Sequence, residues 1–120
     1  MLTDPEQRVV DCLLDHPNER VQAKALAEAL EVPEVKAREA VRSARLKGVL
    51  ICSDRYGFFL PRNDSEAKAT VHSLFSRVRE IAKVARAVDA ARQRRFGNSL
   101  TKDEQIELVF GLEAEEALAS

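Results

Sequence analysis

The sequence is poor in the residues that build ligand pockets, disulfide frameworks and metal sites. It contains no Trp, one Tyr and five Phe, so a large pocket lined by aromatic side chains is not expected. Its two cysteines, Cys12 and Cys52, are too few and too far apart for a disulfide framework, and two histidines do not complete a zinc motif. We therefore expect no metal site and no cofactor.

Long apolar runs and a secretory signal are also missing. No segment approaches the roughly 20 consecutive apolar residues that a transmembrane helix needs. Asp4 and Glu6 stand where a secretory signal would carry basic residues and then an apolar run. We expect a cytoplasmic protein with no membrane partner.

The usual sequence signatures of catalysis are absent. There is no Gly-rich phosphate loop, no Ser nucleophile elbow and no pairing of His with Cys at a useful spacing. Asp and Glu are abundant, but they fall at positions predicted to lie on helix surfaces, where their common role is solvation. The sequence thus predicts no catalytic residues and no enzyme.

Charge is plentiful, and it is strongly segregated along the chain. Residues 1–34 hold three Lys or Arg against eight Asp or Glu, and residues 101–120 hold one against six. Between them, residues 35–62 hold seven basic against two acidic side chains, and residues 63–100 hold eight against four. A basic centre between acidic ends suggests a polyanion partner, although a well-solvated helical surface would give the same count.

Apolar spacing predicts three short helices in the first half of the chain. The first starts at Asp4-Pro5 and runs to about residue 15, where His16-Pro17-Asn18 ends it. The second covers residues 22–30 and the third residues 34–47, with Gly48 as its stop. The inward positions are Val9, Val10, Leu13 and Leu14 in the first helix, Ala23, Leu26 and Leu30 in the second, and Ala37, Ala40, Val41 and Ala44 in the third. The last two helices are separated by about three residues and form a helix-turn-helix candidate.

Two short apolar runs after Gly48 predict a β-hairpin. Residues 49–53 and 58–60 are rich in strand-forming side chains, and Asp54-Arg55-Tyr56-Gly57 between them has turn chemistry. Three helices followed by a hairpin is the element order of a winged helix, with the hairpin tip as the wing. The fold class expected is mainly α with a small β-hairpin, comprising a winged helix-turn-helix domain over residues 1–62.

A long amphipathic helix is expected over residues 63–96, with Asp64 or Ser65 as its N-cap. Six apolar residues recur along it at alternating spacings of three and four, which is the heptad pattern of a coiled coil. They are Val71, Leu74, Val78, Ile81, Ala85 and Val88. Such a helix is longer than a 60-residue domain can cover, so we expect it to form a homodimer; the alternative is that its second half is simply solvated. Residues 97–120 are expected to hold a short helix and an acidic tail.

The third predicted helix carries the side chains that a DNA-reading helix needs. Its outward positions are Lys36, Arg38, Glu39, Arg42 and Ser43, followed by Arg45 and Lys47 as phosphate contacts. Arg can form two hydrogen bonds with guanine in the major groove, and Glu can accept one from cytosine. At the hairpin tip, Arg55 can reach the minor groove or a phosphate, with Tyr56 supporting it. Each of these charges on its own could equally be an ordinary solvated side chain.

Residues 21–32 (VQAKALAEALEV), with the following segment that ends Lys47-Gly48-Val49-Leu50, resemble the winged helix superfamily. Residues 51–61 (ICSDRYGFFLP), leading into a long helix with Ser76-Arg77, are similar to small winged helix proteins of bacteriophages and prophages. The resemblance covers roughly residues 5–80. It implies contact with double-stranded DNA through residues 34–47 and Arg55, a role in transcriptional control or phage DNA replication, and a location in a bacterial or phage-infected cell.

A second hypothesis belongs to another class of function. The same scaffold could serve as a protein-interaction adaptor that does not touch DNA, with the long helix or the acidic tail binding a host or replication protein. The basic positions Lys36, Arg38 and Arg42 distinguish the two, because an adaptor does not require them.

Overall fold

The computed structural model describes residues 1–97, which are mainly helical with one small antiparallel sheet. The helices are α1 (Asp4–Leu14), α2 (Ala23–Leu30), α3 (Glu34–Leu46) and α4 (Asp64–Phe96), and the strands are β1 (Cys52–Asp54) and β2 (Gly57–Phe59). Element type and order agree with the sequence prediction. The chain divides into two compact units, Met1–Thr70 and a second unit that begins at Val71. The short helix and acidic tail predicted over residues 97–120 lie, from residue 98 onward, outside the described residues.

Helix α1 begins with a capping box. The helix starts at Asp4, as the sequence predicted, but its N-cap residue is Thr3 and not Asp4. The Thr3 hydroxyl accepts a hydrogen bond from the Glu6 backbone N–H at 3.4 Å, and a Glu6 carboxylate oxygen accepts one from the Thr3 N–H at 2.6 Å. Two of the N–H groups at the helix start are thereby satisfied.

The connection between α2 and α3 is three residues long. Helix α2 ends at Glu31, which adopts the left-handed conformation with φ of 57°. The Val32 N–H donates to the Ala27 carbonyl at 3.1 Å, which satisfies a carbonyl at the helix end, and Pro33 starts the next helix. The chain therefore reverses tightly, and α3 packs across α2.

One hydrophobic core joins α1, α2, α3 and the hairpin. Its buried side chains are Val9, Leu13, Val21, Leu26, Ala27, Leu30, Ala37, Ala40, Val41, Ala44 and Ile51. The contribution of α3 is almost all alanine, which allows this helix to approach its neighbours closely. Leu14, which the spacing placed inward, is exposed.

The hairpin is tied to the connection between α1 and α2. Its strands pair in the register Cys52↔Phe59 and Asp54↔Gly57. Val21 then pairs with Phe58 through two backbone hydrogen bonds of 2.8 Å, one in each direction. The sheet thus gains a third backbone segment, which fixes the hairpin against the helical core.

The first turns of α4 belong to the first unit. The Asn63 side chain accepts a hydrogen bond from the Glu66 N–H at 3.0 Å, so Asn63, and not Asp64 or Ser65, caps the helix. The buried Thr70 hydroxyl accepts from the Ser53 N–H at 3.1 Å and donates to the Ser53 carbonyl at 3.3 Å. Among residues 1–97, no helix is both long enough and apolar enough to cross a membrane.

Candidate nucleic-acid interface

Helix α3 presents one face that is exposed along its whole length. Because Ala37, Ala40, Val41 and Ala44 are buried, the opposite stripe of the helix points to solvent. The exposed stripe consists of Val35, Arg38, Glu39, Arg42 and Leu46, with Lys36 at its edge. We call these six residues the α3 outer face. Four of the seven residues predicted on this helix to contact DNA therefore lie together on one accessible surface.

Four charged side chains at the N-terminal end of α3 form two ion pairs. Lys36 Nζ lies 3.3 Å from Glu39 Oε2, and Arg38 Nη2 lies 3.3 Å from Glu34 Oε1. All four side chains are at least half exposed. Exposed pairs of this kind contribute only about 0.2–1 kcal/mol each, so a phosphate or a base can displace the carboxylate at small cost.

Arg42 differs from these neighbours. It is exposed, and within residues 1–97 its guanidinium has no ion pair and no hydrogen bond. None of its five N–H donors is therefore used by a group in the described part of the chain.

Ser43 and Lys47 both form hydrogen bonds with Glu6, although Lys47 is also exposed to solvent. The Ser43 hydroxyl donates a short hydrogen bond to Glu6 Oε2, and Lys47 Nζ donates to Glu6 Oε1 at 2.7 Å. Glu6 is only 1% exposed, although its residue type is normally found at the surface. The two predicted DNA contacts thus hold α3 against the start of α1.

The environment of Glu6 strongly favours its ionised form. The hydrogen bond from Lys47 is the largest cause, followed by those from Ser43 and the Thr3 backbone, and together they outweigh the effect of burial. They lower the pKa of Glu6 from its ordinary value of 4.5 to about 2. Glu6 is a charged anchor of the fold that sequence reasoning missed. The capping-box spacing from Thr3 to Glu6 could have predicted the hydrogen bond between the Glu6 side chain and the Thr3 backbone. It could not have predicted the contact of Glu6 with α3.

Arg45 braces the end of α3 against the hairpin. Its Nε donates to the Ile51 carbonyl at 2.8 Å, and its Nη2 donates to the Ser53 hydroxyl at 3.0 Å. The guanidinium also lies 5.8 Å from the centre of the Phe58 ring. Arg45, predicted as a phosphate contact, thus connects the end of α3 to the start of the hairpin.

The hairpin tip exposes one cation and one aromatic ring. Arg55 and Tyr56 form the two-residue loop between the strands, and Arg55 Nη2 donates to the Tyr56 hydroxyl at 2.7 Å. The Asp54 carboxylate accepts a hydrogen bond from the Tyr56 N–H at 2.8 Å, which fixes the loop backbone. Both predicted tip residues are therefore accessible and held in one arrangement.

Arg20 neutralises the carboxylate at the base of that loop. Its Nε lies 2.9 Å from Asp54 Oδ2, its Nη2 lies 3.5 Å from Glu66 Oε2, and its guanidinium carbon is 3.5 Å from the centre of the Phe59 ring. Burial raises the pKa of Asp54, but the hydrogen bonds from Arg20 and from the Tyr56 backbone outweigh it, so this pKa is lowered. The contacts of Arg20 were not predicted from the sequence. Asp54 and Glu66 follow it by 34 and 46 positions, and no local spacing pattern relates residues so far apart.

In the second unit, the apolar stripe of α4 is open to solvent. All six residues of the predicted heptad pattern, Val71, Leu74, Val78, Ile81, Ala85 and Val88, are exposed. Val84, which the sequence analysis did not include, is also exposed and widens the stripe. An exposed apolar stripe of this length is unusual for a single helix surrounded by water.

Comparison of the chain with protein-family models, with curated proteins and with solved structures finds no match. Within the described part of the chain, no three His, Cys, Asp or Glu side chains are grouped so that they could hold a metal ion.

Proposed function

We propose that this chain is a winged helix protein that binds double-stranded DNA, with α3 in the major groove and the hairpin tip on the neighbouring backbone or minor groove. By occupying DNA it would act as a regulator of transcription or as a factor at a replication origin, as in the phage proteins it resembles. Three features support the winged helix interpretation: the short α2–α3 connection, the hairpin after α3, and the pairing of Val21 with Phe58 that seats the hairpin on the helices.

The single observation that carries the proposal is the α3 outer face. An α-helix fits into the major groove, and residues near its N-terminus and on its outer side reach base edges. Here that side is exposed, the Arg42 guanidinium has no hydrogen-bond partner among residues 1–97, and Lys36 and Arg38 form weak exposed ion pairs. Arg55 adds a further accessible cation at the hairpin tip. The proposed contact set is therefore Lys36, Arg38, Glu39, Arg42, Arg55 and Tyr56, while Ser43, Arg45 and Lys47 position α3.

Arg42→Ala is the substitution that tests this surface. Loss of a guanidinium that bonds a base or a phosphate is expected to weaken DNA binding by about 1–3 kcal/mol, which is roughly a 5- to 150-fold rise in Kd. Fluorescence anisotropy with a labelled duplex measures the change. Because the exposed Arg42 guanidinium makes no hydrogen bond or ion pair within residues 1–97, the variant should keep the wild-type Tm.

Lys83→Ala is the matched control for Arg42→Ala. It removes the same charge from an exposed helix position in the second unit, where Lys83 forms an exposed ion pair with Glu80 at 3.1 Å. DNA affinity should be nearly unchanged in this variant. Equal losses in the two variants would mean that the protein binds through its general charge and that the α3 outer face has no special part.

We also propose that the exposed apolar stripe of α4 binds a second copy of the chain. The heptad residues from Val71 to Val88 span about 25 Å of helix, which is enough for a short two-helix interface. A homodimer would place two α3 helices on one DNA molecule and would read a two-part site.

Ile81→Glu is expected to dissociate this dimer. Ile81 is 68% exposed in the single chain, so its replacement should not disturb the fold, but a carboxylate at the centre of the stripe would be buried without a partner in the dimer. Light scattering at micromolar concentration should give roughly twice the chain mass of 13.4 kDa for the wild type and the single mass for Ile81→Glu. Ala87→Glu adds the same charge on the opposite side of α4 and should remain dimeric. A wild-type chain that scatters as a monomer would refute the dimer.

One observation favours the adaptor hypothesis as a second candidate. Leu46, at the end of α3, and Leu50, four residues later, both have exposed side chains. A DNA phosphate is charged and would form no favourable contact with these apolar groups. A protein partner could cover such side chains, and in that case Leu46→Ala would weaken binding to the partner while Arg42→Ala would not.

A further inference from the structure

Val35 is an apolar side chain that the fold does not use. It lies in the first turn of α3, it is 65% exposed, and it does not contribute to the hydrophobic core. A β-branched residue also has a slightly lower helix propensity than the straight-chain residues around it. Neither packing nor helix formation therefore accounts for valine at this position.

The neighbours of Val35 define what it can contact. Two ion pairs flank it on the helix surface, Arg38–Glu34 on one side and Lys36–Glu39 on the other. Arg42 follows seven residues later on the same stripe, about 10 Å along the helix axis. The α3 outer face thus combines one exposed apolar side chain near the helix N-terminus with one guanidinium further along that has no ion pair among residues 1–97.

Base edges in the major groove offer a partner for each of these groups. Guanine presents two acceptors that suit a guanidinium, and thymine presents the C5 methyl group, an apolar group to which side chains such as alanine or the threonine methyl bind. A valine at the N-terminal end of a helix in the major groove would meet base edges and not the phosphate backbone.

We propose that Val35 is a specificity-determining residue that selects thymine through contact with its C5 methyl group. This inference rests on the proposed DNA binding and adds a sequence preference to it. The preferred site would contain at least one A·T pair read by Val35 and, a few base pairs away, a G·C pair read by Arg42.

The test begins with selection of a binding site from duplexes that carry a randomised central segment. In the selected duplex, each thymine is then replaced singly by deoxyuridine, which removes the C5 methyl group and leaves the hydrogen-bonding groups intact. At one position the replacement should weaken wild-type binding about fourfold, the factor expected for loss of one buried methyl group worth about 0.8 kcal/mol. Val35→Ala should bind the thymine and deoxyuridine duplexes with nearly equal affinity.

Two further variants separate this effect from others. Leu46→Ala shortens an apolar side chain at the far end of the same stripe, 72% exposed, and should keep the discrimination against deoxyuridine. Arg42→Ala should weaken binding to both duplexes and leave their ratio unchanged. All three residues are exposed, so circular dichroism should show wild-type helix content and Tm.

The possible results separate the role of Val35 from DNA binding itself. Selection of a site whose deoxyuridine versions all bind as tightly as the original would overturn the role of Val35 and leave DNA binding intact. If Val35→Ala still binds the thymine duplex more tightly than the deoxyuridine duplex by the wild-type factor, the role of Val35 is likewise overturned and DNA binding is not. Failure to bind any duplex at low salt would overturn the DNA proposal itself, and would instead assign Val35 and Leu46 to a protein-binding surface.

Discussion

Gly57→Ala is expected to lower the free energy of unfolding by about 3 kcal/mol or more. Gly57 has φ of 138°, a conformation that L side chains rarely adopt, and an added Cβ would lie 2.6 Å from both the carbonyl carbon and the oxygen of Val21. These are backbone atoms next to the Val21–Phe58 hydrogen bonds, so they cannot move aside without breaking that pairing. Backbone strain and overpacking each cost about 1–3 kcal/mol.

Gly48→Ala is the matched control, because it imposes the same substitution without the close contact. Gly48 also has a positive φ, 97°, but an added Cβ would meet nothing within 4 Å. This variant should lose only about 1 kcal/mol, the cost of the backbone conformation. Urea unfolding of the two variants measures both values, and equal losses would show that the approach of Val21 to Gly57 is not tight.

Glu6→Gln is expected to produce the second large loss of stability, lowering Tm by an amount on the order of 10 °C. The amide keeps the shape of the side chain but removes the negative charge that Lys47 and Ser43 contact. Lys47 would then be left beside a neutral group, and the charged hydrogen bonds between α3 and α1 would be weakened. Glu28→Gln, an exposed carboxylate on α2, should leave Tm almost unchanged. A small loss for Glu6→Gln would mean that the bonds to α3 contribute little.

The same residue makes stability depend on pH in the acid range. The pKa of Glu6 is lowered to about 2 in the folded chain, against an ordinary value of 4.5. Its contribution is therefore fully present above about pH 4.5 and is lost as the pH falls toward 2. The difference in Tm between wild type and Glu6→Gln should narrow over this interval, whereas a constant difference would show that its charge is not responsible.

The helices and the hairpin could be predicted because local signals specify them. The apolar stripes of α2 and α3 place Leu26, Leu30, Ala37, Val41 and Ala44 inward, and all five are buried. Pro33 and Gly48 predicted the two ends of α3 to within one or two residues, because each restricts the backbone conformation of the residues next to it. Periodicity and turn chemistry need no knowledge of the tertiary fold.

The polar contacts of the site could not be predicted, because they depend on which elements meet. Ser43 lies at the boundary between the buried and exposed sides of α3, and only the position of α1 turns it toward Glu6. Likewise, Arg45 and Arg20 look like free surface charges in the sequence, but the hairpin supplies their partners. Composition therefore overstates the charge that is open to solvent near α3 and the hairpin tip, where Lys36, Arg38, Arg42 and Arg55 are exposed.

The dependence of DNA affinity on salt tests the role of the α3 outer face most directly. If each of those four cations neutralises one phosphate, log K for a labelled duplex should fall with log salt at a slope near −3.6 per bound chain between about 50 and 200 mM, and each cation that contacts a base instead should make the slope shallower by about 0.9. In Arg42→Ala the slope should become shallower by about 0.9 if that residue contacts a phosphate, and affinity should fall at every salt concentration. No detectable binding of duplex DNA at 50 mM salt, or a slope near zero, would contradict the assignment of α3 as a DNA-binding helix.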